Sequence, residues 1–108
     1  MSDAIYWSAC KIAREIRVGK LSSRDIVEAC LERIEQVNPE INAVVQLADE
    51  RARNEADELD RQAARGQFRG ALHGVPITLK DSLDTEGIVS TGGTMGRKGF
   101  IPSQDAPV

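Results

Sequence analysis

Gly74-Val75-Pro76-Ile77-Thr78-Leu79-Lys80-Asp81 is the stretch on which the fold turns. Val75, Ile77 and Leu79 alternate with Pro76, Thr78 and Lys80, the period of a β-strand whose side chains point to opposite faces in turn. With the three aliphatic residues on a core layer, Lys80 points the other way at the strand's carboxyl end, where open α/β sheets build their sites. A lysine held out of water there favours its neutral form, the form able to take a proton. The plainer alternative is a solvated strand terminus, the usual situation of a lysine.

Upstream the chain reads as helices. Of nine glycines only Gly19 precedes Gly66. Ile5, Ala9, Ile12 and Ile16 recur at helical spacing, with Lys11, Arg14, Glu15 and Arg17 mostly on the other side, and Gly19 stops that helix. Ser22-Ser23-Arg24-Asp25 resembles a capping box, which satisfies free N–H groups at the start of a second helix. Its apolar face is Ile26, Val27, Cys30, Leu31, Ile34 and Val37, and Asn38-Pro39 is expected to end it. A short strand is expected over Ala43 to Leu47. A third helix is expected from about 48 to 65, with a narrow inward stripe of Ala48, Ala52, Ala56, Leu59 and Ala63. Asp49 with Arg53, and Asp57 with Arg61, are i,i+4 pairs on its wet face, and Gly66 closes it.

Downstream the expected order is a strand over Val75 to Lys80, a turn, a strand over about Ile88 to Ser90, and a glycine-rich loop. An α, α, β, α, β sequence is the opening of an α/β sheet. Two or three short strands make a poor autonomous sheet, so the stretch is expected to begin something larger.

The 108 residues are enough for one small domain. Hydrophobic residues make up 41% and aromatics 4%, so the core must be built from Ile, Val, Leu and Ala. The net charge is −3 and no basic face stands out, which argues against nucleic acid as a partner. No apolar run approaches the roughly 18 residues that span a bilayer, and Met1-Ser2-Asp3-Ala4-Ile5 lacks a signal pattern. A cytoplasmic protein with no membrane association is expected. Cys10 and Cys30 read as buried thiols on helix faces, since two cysteines make no disulfide framework and only His73 is available to join them as a metal ligand.

Two further features bear on chemistry. Ser90-Thr91-Gly92-Gly93-Thr94-Met95-Gly96-Arg97-Lys98-Gly99-Phe100 is not a phosphate cradle: it has no Gly-Lys followed by Ser or Thr, and it runs toward Pro102 instead of opening a helix. It is a loop of small residues that lets backbone or a substrate approach closely. His73, the single histidine, has no Ser or Cys beside it and reads as a hydrogen-bonding residue in the turn before the strand.

Together these pieces carry a family resemblance. Leu72 to Asp81, Asp84-Thr85-Glu86-Gly87, Ser90-Thr91-Gly92-Gly93-Thr94 and Ile101-Pro102-Ser103-Gln104-Asp105-Ala106-Pro107-Val108 resemble, in order and spacing, the opening block of the amidase signature family. The resemblance implies an α/β fold with a mixed central sheet covered by helices. Here it would be represented by three helices, two or three short strands and a glycine-rich loop. The 108 residues would form one partial domain, a helical lead-in over about 1–66 and the Lys80 strand with its loop over about 67–108. It implies amide-bond hydrolysis by a Ser–cis-Ser–Lys triad, without metal or cofactor, acting on a small-molecule amide. Lys80 maps onto the catalytic lysine and Asp81 takes a supporting role, while Thr91, Gly92, Gly93 and Thr94 form a candidate substrate-side loop.

One departure matters. The family's glycine- and serine-rich segment with both triad serines is absent, and Ser22-Ser23 reads as a helix cap. The chain is therefore expected to be an inactive N-terminal fragment of a hydrolase. An amidotransferase A subunit fragment, or a non-catalytic interaction module whose three helices bind a partner, stand as alternatives, and under each reading a homo-oligomer through the N-terminal helices or the exposed strand is an open expectation. Thr91-Gly92-Gly93-Thr94 resembles the free-standing amidases slightly more.

Overall fold

The computed structural model describes residues 2–108. A 3₁₀ turn at Ser2–Tyr6 leads into helices α1 (Ala9–Arg17), α2 (Ser23–Ile41) and α3 (Asp49–Ala64), and a further 3₁₀ turn lies at Met95–Arg97. The chain divides into two compact units, one running up to Asn42 and including Asp49–Pro76, the other Ala43–Ala48 with Ile77–Val108.

The helical unit forms because each helix has both an end signal and an apolar stripe. Ser8 and Ser22 cap α1 and α2 by accepting from the N–H groups of Lys11 (3.1 Å) and Asp25 (3.0 Å). Gly19 and Gly66 end α1 and α3 with positive φ. In both, the N–H of the residue after the glycine bonds a carbonyl five residues back, Lys20 to Glu15 (2.9 Å) and Gln67 to Gln62 (2.9 Å). The core gathers Ala4, Ile12, Ile16, Leu21 and Ile26, with Ile5, Trp7, Cys30 and Val75 packed around it. Helices α2 and α3 are tied by Arg24 to Asp57 (2.7 Å) and Arg53 to Glu28 (2.6 Å). Asp60 of α3 also accepts from the N–H groups of Ser23 (2.7 Å) and Arg24 (3.0 Å) at the start of α2, where a negative charge is favoured.

Three helical expectations need correction. Helix α2 passes through Pro39 to Ile41, and Asn42 closes it in the left-handed region (φ 48°) with its N–H on the Asn38 carbonyl (2.7 Å). The bond that Pro39 cannot donate would have gone to the Glu35 carbonyl, so the helix forgoes a single bond in an exposed final turn. Cys10 is exposed and only Cys30 is half-buried. Because α1 starts at Ala9, Cys10 lies roughly 200° around the helix from the buried Ile12. Asp57 is taken by Arg24, so Arg61 pairs with Glu58 instead (2.6 Å).

The expected strands do not form among the described residues. Residues 43–47, 75–80 and 88–90 contain no ladder; the single β-type pairing among the described residues is an isolated bridge between Thr85 and Ile88. Among the described residues no backbone bond reaches Ile77, Thr78 or Leu79. A strand owes its hydrogen bonds to a neighbour, and none lies beside this segment among the described residues.

Candidate active site

The chain approaches Lys80 from a well-anchored turn. Gly74 adopts φ +83° against Ile16 and Ser23, and its carbonyl accepts from the Ser23 hydroxyl (2.7 Å). This is the real task of Ser23, which is buried, whereas its neighbour Ser22 is the helix cap. His73 is buried too; its Nδ1 accepts from the Arg69 N–H (2.9 Å) and its Nε2 lies 2.9 Å from the Leu59 carbonyl. The tautomer with the proton on Nε2 serves both bonds. Phe68 meets the His73 ring edge-on, and Arg17 stacks over Phe68 while donating to the Gly70 carbonyl (2.9 Å). His73 is thus a structural hydrogen-bonding residue, as its sequence surroundings suggested.

Lys80 belongs to the second unit. Its carbonyl accepts from the Leu83 N–H (2.9 Å), closing a turn. Its side chain is exposed, so the desolvation expected of a strand-end lysine is not supplied by these residues. Among the described residues its ammonium has no ion-pair or hydrogen-bond partner.

Asp81, next in the chain, is fully engaged. Its Oδ1 accepts from the Thr91 N–H (3.0 Å) and its Oδ2 from the Thr91 hydroxyl, while its carbonyl accepts from the Gly92 N–H (3.2 Å). The Thr91 hydroxyl, then its amide, holds the Asp81 carboxyl below the ordinary value of 3.8, with Arg97 adding a smaller attraction. The Thr91 hydroxyl oxygen in turn accepts from the Gly93 N–H (3.1 Å), and the Thr91 carbonyl accepts from the Thr94 N–H (3.2 Å). Gly92 and Gly93 sit at φ +62° and +79°, a pair of left-handed residues that suits glycine. The structure therefore brings Asp81, Thr91, Gly92, Gly93 and Thr94 into one hydrogen-bonded group beside the Lys80 backbone.

The pieces quoted from the sequence meet in the same way elsewhere in this unit. The Asp84 carbonyl accepts from the Ala106 N–H (2.8 Å), the Gly87 N–H donates to Pro102 (3.1 Å), and Asp105 accepts from the Glu86 N–H (2.8 Å). Ser90, buried, donates its N–H to Phe100 (2.9 Å). Arg97 pairs with Asp84 (2.9 Å) and lies over the Phe100 ring. These long-range partners of Asp84, Arg97 and Asp105, like Asp60 at the start of α2, carry no local sequence signal. No cluster of three metal-ligating side chains exists among the described residues, and no helix there is long and apolar enough to cross a membrane. Ser82 is exposed and is not paired with a second serine.

The amidase family model matches residues 25–108. The chain is 44% identical over 102 residues to an indoleacetamide hydrolase of Bradyrhizobium diazoefficiens, covering 94% of this chain and 20% of that protein. It is 41% identical over 108 residues to the A subunit of the glutamyl-tRNA(Gln) amidotransferase of Streptomyces coelicolor, covering 100% of this chain and 22% of that one. An acylamidase of Rhodococcus erythropolis is 41% identical over 90 residues, 82% of this chain and 19% of the relative. The crystal structure of PAM12A superposes with a TM-score of 0.87 at 29% identity, over 97% of this chain and 22% of that one. A structure from a vestigial complex linked to the origins of an s-triazine catabolic enzyme gives 0.85 at 32%, over 92% and 22%. The chain thus spans about a fifth of the length of these relatives. A match that runs through the Lys80–Asp81 turn, the Thr91 loop and every piece they bond to leaves one assignment: the chain belongs to the amidase family.

Proposed function

We propose that these residues supply the catalytic lysine, Lys80, of a cytoplasmic amide-bond hydrolase that works through a Ser–cis-Ser–Lys triad on a small amide. The observation that carries this is the contrast between neighbours: Asp81 is held by Thr91, while Lys80 stands at the turn with its amine unengaged. A lysine amine freed of its proton can take one from a serine hydroxyl and return it to the departing nitrogen. Asp81 supports that role by fixing the turn. The serines must come from elsewhere, because Ser22 caps α2 and Ser23 bonds Gly74. The 108 residues alone are inactive.

The test is a chimaera in which this chain replaces the matched fifth of the Bradyrhizobium indoleacetamide hydrolase, assayed for indoleacetamide hydrolysis. An active chimaera that loses several orders of magnitude on Lys80→Ala supports the assignment. Hydrolysis by the 108 residues alone, or an active chimaera indifferent to Lys80→Ala, overturns it. The match to the Streptomyces protein, which covers all of this chain and 22% of that one, favours one other reading, the A subunit of an amidotransferase. Activity of the equivalent chimaera in that protein, with none in the hydrolase, would select it.

A further inference from the structure

The loop over residues 91–94 offers a substrate little. The N–H groups of Thr91, Gly92, Gly93 and Thr94 are all spent inside the unit, on Asp81, on the Thr91 hydroxyl and on the Thr91 carbonyl. A backbone cradle for an oxyanion needs donors aimed outward, and this one has none to give. Its hydrogen bonds converge instead on Asp81. The Asp81 carboxylate is the acidic group nearest to Lys80 along the chain, and it turns to Thr91 instead of to the lysine.

We infer that Thr91 is a positioning residue for Lys80: its hydroxyl and amide fix the Asp81 carboxylate away from the lysine amine and lock the turn that carries it. The inference rests on Lys80 being the base. A carboxylate released beside a lysine stabilises the ammonium, and an ammonium cannot accept a proton. The glycines at positions 92 and 93 let the loop curl tightly enough for one threonine to make three of these bonds. The charged group that also faces the clamp is Arg97, and it is itself paired with Asp84. Removing the Thr91 hydroxyl therefore leaves Arg97 occupied and Asp81 less restrained.

Two measurements test this. In the 108-residue chain, carbon NMR of the Asp81 carboxyl should show its titration midpoint rising toward 3.8 in Thr91→Val and staying low in Thr91→Ser. An unchanged midpoint in Thr91→Val overturns the clamp. In the indoleacetamide hydrolase chimaera, Thr91→Val should lower kcat about 10- to 100-fold with KM nearly constant, the scale expected when a reacting group is misplaced. The acid limb of its pH–rate profile should move to higher pH, and Thr91→Ser should restore both. A loss of kcat with an unmoved limb shows a merely structural loop and overturns the proposal. If Lys80→Ala abolishes activity while Thr91→Val matches the parent, the proposal alone fails. If the parent chimaera folds but is inactive, the base assignment fails and the proposal goes with it.

Discussion

Ile26 and Leu79 are both aliphatic residues on faces that the sequence marks as apolar, yet Ile26 is 0% exposed and Leu79 is 54% exposed. The difference lies in how each segment meets its backbone. Helix α2 closes its own N–H and C=O groups and needs neighbours only for one stripe, which α3 and the N-terminal turn provide. The Val75–Lys80 segment must borrow every ladder bond from another strand. No ladder is supplied to it among the described residues, and Ile77 and Leu79 are left in solvent. A helical period builds a unit locally, whereas a strand period states a requirement for partners.

Amide exchange gives the widest test of this contrast. The amides of Ile77, Thr78 and Leu79 should exchange with opening free energies near zero, while Ile26 and Val27 approach the global value, about 5–15 kcal/mol for a domain. Slow exchange at Ile77–Leu79 in the isolated chain would break the comparison, because it would require a ladder that the described residues lack.

Side-chain truncation sharpens it. Ile26→Ala should lower stability by about 2–5 kcal/mol, the range for a fully buried aliphatic residue. Leu79→Ala should change it by no more than about 0.5 kcal/mol. Denaturant melts of the two variants decide; equal losses would show that Leu79 is packed in solution.

The same division explains what was legible in the sequence. The three helices could be read because caps and stripes are local: Ser22, Gly19, Gly66 and the Ile12–Ile16 spacing each act within a few residues. Apart from Pro39, which α2 absorbs in its final turn, the differences arise where a non-local partner or a helix start decides the outcome. Ser8 set the phase of α1 and turned Cys10 outward, Arg24 took Asp57 from Arg61, and the strands found no ladder. At the site, Lys80 and its loop stood out by type and spacing. The Asp81–Thr91 clamp did not, since the intervening loop hides which carboxylate a threonine will reach.

A pair of glycines separates strain from packing. Gly74 and Gly93 have nearly the same φ, +83° and +79°, but a Cβ at Gly74 would meet Ile16 at 3.1 Å and Ser23 at 3.2 Å, whereas one at Gly93 meets nothing within 4 Å. Gly93→Ala should cost only the left-handed strain, about 1–2 kcal/mol. Gly74→Ala adds overpacking and loosens the Ser23 bond, for a total of about 2–4 kcal/mol. Melts giving equal losses would place Gly74 in a looser setting than its contacts describe.

The smallest effect discriminates most finely, because each unit leans on a carboxylate of lowered pKa but on different chemistry. Glu28 is held below 4.5 mainly by Arg53, and Arg24 contributes as well. Asp81 is held below 3.8 mainly by the uncharged Thr91 hydroxyl and amide. Both groups are more acidic folded than unfolded. Each therefore adds stability that is complete above its ordinary value and disappears as pH falls through its lowered folded value. Glu28→Ala and Asp81→Ala should each weaken their own unit at neutral pH, read from α2 amides in one case and the Gly92 amide in the other, and both deficits should close in acid. Salt then parts them. The exposed arginine pairs are screened as ionic strength rises toward about 1 M, so the Glu28 deficit shrinks. Hydrogen bonds from a neutral hydroxyl and amide are not screened in that way, so the Asp81 deficit persists. If both deficits shrink together, Arg97 rather than Thr91 governs Asp81, and the clamp is ionic after all.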